Sequence, residues 1–155
     1  MKKFISIFQI ISMILGVTVI VLFIIPMLIG IKPFVVLSGS MEPKIKTGSV
    51  AYVNTHIKAE EIKKDDIIGF KMQNKLVTHR VTKVNEDQSF ATKGDANESE
   101  DTSKVRFENY IGKTVFSIPY LGNIVSYSKS KIGILFITII VGFNIVFILF
   151  EKKVK

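Results

Sequence analysis

Two long uncharged apolar runs bound what this chain can fold into. Phe4–Ile31 holds 28 residues without a charge, framed by Lys2-Lys3 and Lys32. Ile132–Phe150 holds 19 more, framed by Lys131 and Glu151-Lys152-Lys153. The hydrocarbon core of a bilayer is roughly 30 Å thick and takes about 20 apolar helical residues. Both runs therefore read as transmembrane helices. Pro26 interrupts the first, which a spanning helix tolerates with a kink. A cleavable signal peptide has an apolar region of roughly 7–15 residues followed by a small-x-small site. This run is longer, and bulky Ile31-Lys32-Pro33-Phe34 follows it, so it reads as an uncleaved anchor. The second run has only Thr138 and Asn144 as polar members, which favours a span over a buried core helix.

The expected layout is a cytoplasmic tail and transmembrane helix at 1–31, an exposed domain at 32–131, a second transmembrane helix at 132–150 and a tail at 151–155. The exposed domain holds 16 Lys/Arg and 12 Asp/Glu, a net charge of +4. Both tails are short and basic, and such segments stay inside, whereas a domain of roughly 100 residues crosses largely regardless of charge. The expected topology is two-pass in the plasma membrane, with both termini cytoplasmic and the domain extracytoplasmic. The lysines are scattered and form no aromatic-basic platform, which argues against nucleic acid as a partner. Attraction to the anionic headgroups of the lipid bilayer accounts better for the lysines flanking the runs. With no cysteine, disulfides and thiolate metal sites are excluded.

Between the anchors, short β-branched and aromatic runs dominate: Pro33–Leu37, Ser49–Asn54, Ile67–Met72, Leu76–Val84, Ser89–Lys93 and Tyr110–Ile118. Turn signals such as Lys46-Thr47-Gly48, Gln73-Asn74-Lys75 and Asn85-Glu86-Asp87 separate them. His56–Lys64 alone has helix-like composition, and Asn97–Lys104 reads as an irregular loop. The fold class is mainly β, in one or two small sheets. If Leu76–Val84 is a strand, Val77, His79 and Val81 share one face and Thr78 and Arg80 the other. A histidine on an apolar face is most often a core residue bonded to a carbonyl.

Ser38-Gly39-Ser40-Met41-Glu42-Pro43 begins shortly after the first run, and His79 follows Ser40 by 39 residues. A serine hydroxyl needs an adjacent base to act as a nucleophile. An imidazole, with an unperturbed pKa of about 6.5, can take and return its proton. Peptide cleavage also needs donors for the developing oxyanion. Gly39 lacks a side chain just before the nucleophile, which would let a substrate carbonyl approach. Pro43 would help to fix the turn. Taken alone, a Ser-Gly-Ser loop is most often an ordinary turn.

Taken together, the segments resemble the type I signal peptidases. Ser38–Pro43 is similar to that family's serine box, and Ile45–Val50 and Asp66–Phe70 to the segments after it. Val77-Thr78-His79-Arg80-Val81 resembles the base-bearing segment and Thr92-Lys93-Gly94-Asp95-Ala96-Asn97 the Gly-Asp box. The likeness runs from the first anchor to Ile118-Pro119-Tyr120-Leu121-Gly122, with the boxes in the family's order. Histidine rather than lysine in the base-bearing segment matches the endoplasmic-reticulum and archaeal type, found in some Gram-positive bacteria as SipW-like enzymes. The resemblance implies a signal-peptidase-like β-domain, Ser40 as nucleophile and His79 as general base. It leaves two candidates for the acid, Asp101 and Asp95, and points to Asp101 as the group orienting the imidazole, with Asp95 supporting the site. Ser38 and the Ser40 backbone are the implied oxyanion donors. The implied activity is removal of N-terminal signal peptides from secreted preproteins without a cofactor, alone or with accessory subunits. Where the family often has aspartate after the glycine of the second box, this chain has Ser49, a structural rather than a chemical position.

Other assignments fit less well. A lysine base would have to lose about three pKa units by burial, yet Lys75 sits in a polar turn and Lys83 near a strand end. His56 matches no box and reads as an exposed loop residue. Two histidines 23 residues apart without a His-Glu-x-x-His pattern give no zinc geometry. The rival from another class is an inactive membrane-anchored binding or assembly protein, which explains the anchors and strands but not serine, histidine and aspartate in matching boxes.

Overall fold

A computed structural model describes residues 2–73 and 75–153. Met1, Val154 and Lys155 of the expected tails, and Asn74 of the expected turn, lie outside the described residues. The chain opens as helix α1 (Lys2–Val19), passes through one π-helical stretch (Ile20–Ile24) and continues as α2 (Ile25–Leu28). Pro26 stands at the start of α2, where its missing N–H and fixed φ disturb the regular ladder. Within this rod Ile7–Leu28, 22 residues, is long and apolar enough to cross a membrane, and none of it is buried. The Thr18 hydroxyl is satisfied locally, donating to the Ile14 carbonyl at 2.8 Å, the backbonding expected of threonine inside a helix.

Six strands follow in a single antiparallel sheet: β1 (Ile31–Val35), β2 (Val50–Asn54), β3 (Ile67–Met72), β4 (Lys75–Val84), β5 (Phe90–Lys93) and β6 (Tyr110–Ile118). Their order across the sheet is β1-β2-β6-β3-β4-β5. Two of the expected strands match in both boundaries and the others within a few residues. β1 begins earlier than expected because Ile31 and Lys32 pair with Asn54 and Val53. The core lies against β3, β4 and β5, where Ile68, Phe70, Val81 and Phe90 pack with Val105, Ala59 and Ile62. The parity expected for β4 holds: His79 and Val81 are buried and Val77 half-buried.

His56–Lys64 does not become a helix. It holds one 3₁₀ turn, Ala59–Glu61, whose Glu61 carboxylate accepts the Lys58 N–H at 2.8 Å. Ala59 and Ile62 reach the core from that turn, and the extended backbone of Ile62 (φ −74°, ψ 135°) ends the helical geometry, with Asp65 left-handed (φ 74°) beyond it. His56 is exposed and covers Gly30, where a methyl group would run into its ring.

The C-terminal region forms two helices rather than one straight run. α3 (Leu121–Ser128) and α4 (Lys131–Lys153) meet at 83°. Among the described residues, α3 and α4 are long and apolar enough to cross a membrane only when taken as that bent pair. α4 exposes its apolar side chains over the part whose side chains are described. It touches α1, with the Asn144 amide donating to the Ser12 hydroxyl at 3.2 Å and Phe143 meeting Phe8 edge-on at 5.2 Å.

Candidate active site

Ser40 sits in the long loop between β1 and β2. That loop is closed at its base, with the Val36 N–H donating to the Ser49 carbonyl and the Gly48 N–H to the Val36 carbonyl, each at 2.9 Å. Met41 and Ile45 are buried and pin it from beneath. The Glu42 carboxylate closes it from outside, accepting the Thr47 N–H at 3.1 Å and the Thr47 hydroxyl at 2.8 Å. Those two bonds, the backbone one foremost, hold the Glu42 carboxyl below its ordinary pKa.

The Gly-Asp segment grips the same loop from the other side. The Ala96 N–H donates to the Ser40 carbonyl at 2.8 Å. A methyl group on Gly94 would lie 2.5 Å from that carbonyl oxygen, so this position requires glycine for close approach. Compared with Gly94, Gly39 is less crowded. A methyl group there would meet the Thr47 hydroxyl at 3.4 Å and the Glu42 carboxyl at 3.6 Å, ordinary contacts inside the loop.

His79 comes from the middle of β4, paired with Ile68 of β3. It is 7% exposed and lies edge-on to Phe70, ring centroids 6.1 Å apart. Its Nε2 is 3.1 Å from Ser40 Oγ and its Nδ1 is 2.7 Å from Asp101 Oδ2. An ionised carboxylate only accepts, so Nδ1 carries the proton and Nε2 of the neutral ring is left to accept from the serine. The arrangement is a hydroxyl, an imidazole and a carboxylate in series, the geometry that acyl transfer uses.

Asp95 lies elsewhere. Its two oxygens take the Arg80 Nε–H at 2.8 Å and an Nη2–H at 2.7 Å, a bidentate pair. Arg80 also donates to the Asp65 carbonyl at 2.8 Å, and the bond to Asp95 raises the guanidinium pKa further. Asp95 therefore does not reach the imidazole. Through Arg80 it ties the Gly-Asp segment to the face of β4 opposite His79. Ser38 is exposed, with its Oγ 3.4 Å from Ser40 Oγ, close enough to share a group bound at Ser40. The Ser40 N–H donates to no group among the described residues. Lys75 and Lys83 are exposed on β4.

Thr92, which opens the Gly-Asp box, has a role that the sequence did not point to. It is fully buried, its hydroxyl donates to Asp101 Oδ2 at 2.6 Å, and its carbonyl accepts the Asp101 N–H at 2.8 Å. The signal that finds it is strand parity. Phe90 and Thr92 share the buried face of β5, and a buried hydroxyl there needs a partner.

The family model described as "Signal peptidase, peptidase S26" matches residues 7–134. Signal peptidase I W of Bacillus subtilis (strain 168) is 42% identical over 89 residues, covering 54% of this chain and 47% of that protein. The signal peptidase complex catalytic subunit SEC11C of Homo sapiens is 32% identical over 118 residues, covering 65% of this chain and 61% of that protein. The chain thus spans about half to three fifths of the length of these two curated relatives. A match over most of its length, through the Ser40 loop, β4 and the Gly-Asp segment, shows that the chain belongs to the signal peptidase family, peptidase S26.

Proposed function

We propose that this protein is a membrane-bound serine endopeptidase that removes N-terminal signal peptides from preproteins. The observation that carries the reading is Ser40 Oγ at 3.1 Å from His79 Nε2, with Asp101 at 2.7 Å from the other ring nitrogen. In this reading His79 takes the Ser40 proton as Oγ attacks the scissile carbonyl. The oxyanion is held by the Ser40 N–H and the Ser38 hydroxyl. The imidazolium, kept in place by Asp101, then protonates the leaving amine and frees the signal peptide's partner fragment. Water, deprotonated by His79, attacks the acyl-enzyme and releases the second fragment, returning the proton to Ser40. Asp95 acts on structure through Arg80, not on the imidazole.

The reading extends to topology. α1 and α2 form one span and α4, reached through α3, a second. Both termini are then cytoplasmic, and residues 32–131 face outward from the plasma membrane. The bilayer holds Ser40 near the depth at which a signal peptide's apolar segment ends. The substrate lies extended along the enzyme, read through main-chain hydrogen bonds and small side chains before the cleaved bond. Accessory subunits belong to this reading only if the purified chain needs them.

The test is cleavage of a preprotein with a small-x-small site by the full-length protein in detergent and in lipid, beside Ser40→Ala and His79→Ala. Cleavage at that site, lost in both variants, supports the reading. Cleavage surviving both, or none by the wild type in either medium, rejects it for the chain alone.

A further inference from the structure

The carbonyl of Leu22 sits inside the apolar helix at a place where its regular partner is missing. In an α-helix it would accept from the N–H of residue 26, and residue 26 is proline, which has none. The helix is already loosened there, since the Ile25 N–H reaches back to the Ile20 carbonyl across the π-helical stretch. The group that serves Leu22 comes from 30 residues further along: the Tyr52 hydroxyl donates to its carbonyl at 2.9 Å. Tyr52 is 1% exposed on β2 and stacks on Phe116, ring centroids 4.3 Å apart and planes at 15°. An unpaired carbonyl in lipid is costly, so the bond has a reason to persist.

β1 and β2 pair from Ile31↔Asn54 to Val35↔Val50. One end of this hairpin meets the apolar helix, and the other carries the loop with Ser40. At the helix end, Gly30 turns with φ 77° and its carbonyl accepts both the Thr55 N–H at 2.9 Å and the Thr55 hydroxyl at 2.8 Å. These contacts fix where the strand leaves the helix. The Tyr52 bond fixes the angle between them, because it lies two turns deeper in the helix.

We propose that Tyr52 is a positioning residue that clamps the apolar helix to the peptidase sheet, through the carbonyl that Pro26 leaves open, and so holds Ser40 at a set height above the bilayer. The proposal rests on the peptidase reading above for its effect on cleavage, and on the fold alone for its effect on height.

Two measurements test it on the full chain in vesicles, with wild type, Tyr52→Phe, Pro26→Ala and the double variant. The first compares a membrane-inserted preprotein with a soluble peptide carrying the same site. Tyr52→Phe should lower kcat/KM on the inserted substrate about five- to tenfold, the worth of one hydrogen bond, and leave the soluble peptide within about twofold. Pro26→Ala restores the backbone N–H, which competes with Tyr52 for the Leu22 carbonyl. It should lower cleavage of the inserted substrate in the same way, and the double variant should lose little more than Tyr52→Phe alone. Equal losses on both substrates, no loss at all, or fully additive losses in the double variant would overturn the proposal. The second needs no catalysis. The chain has no cysteine, so Leu37→Cys, at an exposed site on the loop, takes a single fluorescent label whose depth is read with nitroxide lipids. A shifted or broadened depth in Tyr52→Phe that Pro26→Ala reproduces supports the clamp, and an unchanged depth overturns it. A depth effect without cleavage by any variant would reject the peptidase reading and keep the clamp.

Discussion

Thr92 and Asp101 hold each other twice, through the Asp101 N–H on the Thr92 carbonyl at 2.8 Å and the Thr92 hydroxyl on Asp101 Oδ2 at 2.6 Å. The oxygen that takes the Thr92 hydroxyl is the one that faces His79 Nδ1. Asp101 follows three exposed residues, Glu98 being the first polar one after Asn97 and Ser99-Glu100 the next. Without Thr92, little in that loop would hold the carboxylate at one angle. The buried face of β5, through Thr92, thus lends its rigidity to a loop residue that has little of its own.

Thr92→Val keeps the shape and removes the hydroxyl. Turnover should fall about tenfold, as expected for one lost hydrogen bond to a charged group. KM should stay the same, and Thr92→Ser should restore most of the rate. Steady-state kinetics on a soluble peptide, with thermal melts to show that the fold survives, make the measurement. A purely structural role would lower the melting temperature without this split, and would not be rescued by serine.

The two aspartates should separate by the kind of damage they cause. Asp101→Asn leaves the ring without its carboxylate, and kcat should drop by ~10²–10⁴-fold with little change in stability. Asp95→Asn breaks a bidentate pair with Arg80 and should cost about 1–3 kcal/mol of stability. Arg80→Lys should fare little better, since an ammonium cannot match the planar fork. Denaturant melts and kinetics on the same preparations decide. Equal kinetic loss in both aspartate variants would contradict this division of roles.

How much of this was legible in the sequence depends on the reach of the forces involved. β3 and β6 were readable because Ile67–Met72 and Tyr110–Ile118 are β-branched and aromatic runs between turn signals. The parity of β4 put His79 inward before any contact was known. α3 was not readable: Leu121–Ser128 contains a glycine, two β-branched residues and two serines, all modest helix formers. It is held by packing, with Gly122 against the Gly48 and Ser49 carbonyls and the Asn123 N–H on the Gly48 carbonyl at 3.2 Å. The pairing of Asp101 with His79, and of Asp95 with Arg80, follows from the register of β4 and β5 and not from spacing along the chain. The bond from Tyr52 to Leu22 joins a strand to a helix and leaves no local pattern at all.

The two glycines near Ser40 should respond in opposite ways. A methyl group on Gly94 would press on the Ser40 carbonyl at 2.5 Å and on the Asn97 amide at 2.8 Å. The backbone under the nucleophile must then move, and a misplacement approaching 1 Å costs about 10²-fold in rate. A methyl group on Gly39 meets nothing closer than 3.4 Å, so Gly39→Ala should keep kcat within about threefold, apart from the small change in unfolded-chain entropy. Kinetics on the two alanine variants test the contrast. A severe loss in Gly39→Ala would show that the substrate needs the space beside Gly39.

Glu42 gives the site's outer loop an acid limit with a definite sign. Its carboxyl titrates below its ordinary value of 4.5, first because it accepts the Thr47 N–H and then because it accepts the Thr47 hydroxyl. A group whose folded pKa is depressed stabilises the fold above its unfolded value, and that contribution is lost as the pH falls through the folded value. The Glu42–Thr47 bonds are therefore intact at neutral pH and through 4.5, and open only in more acidic solution. Because Glu42 is exposed, the effect is local to the loop. The Thr47 amide resonance of the protein in micelles should shift with a midpoint below 4.5, and the titration should vanish in Glu42→Gln. A midpoint at or above 4.5 would mean that the carboxylate is not holding the loop that carries Ser40.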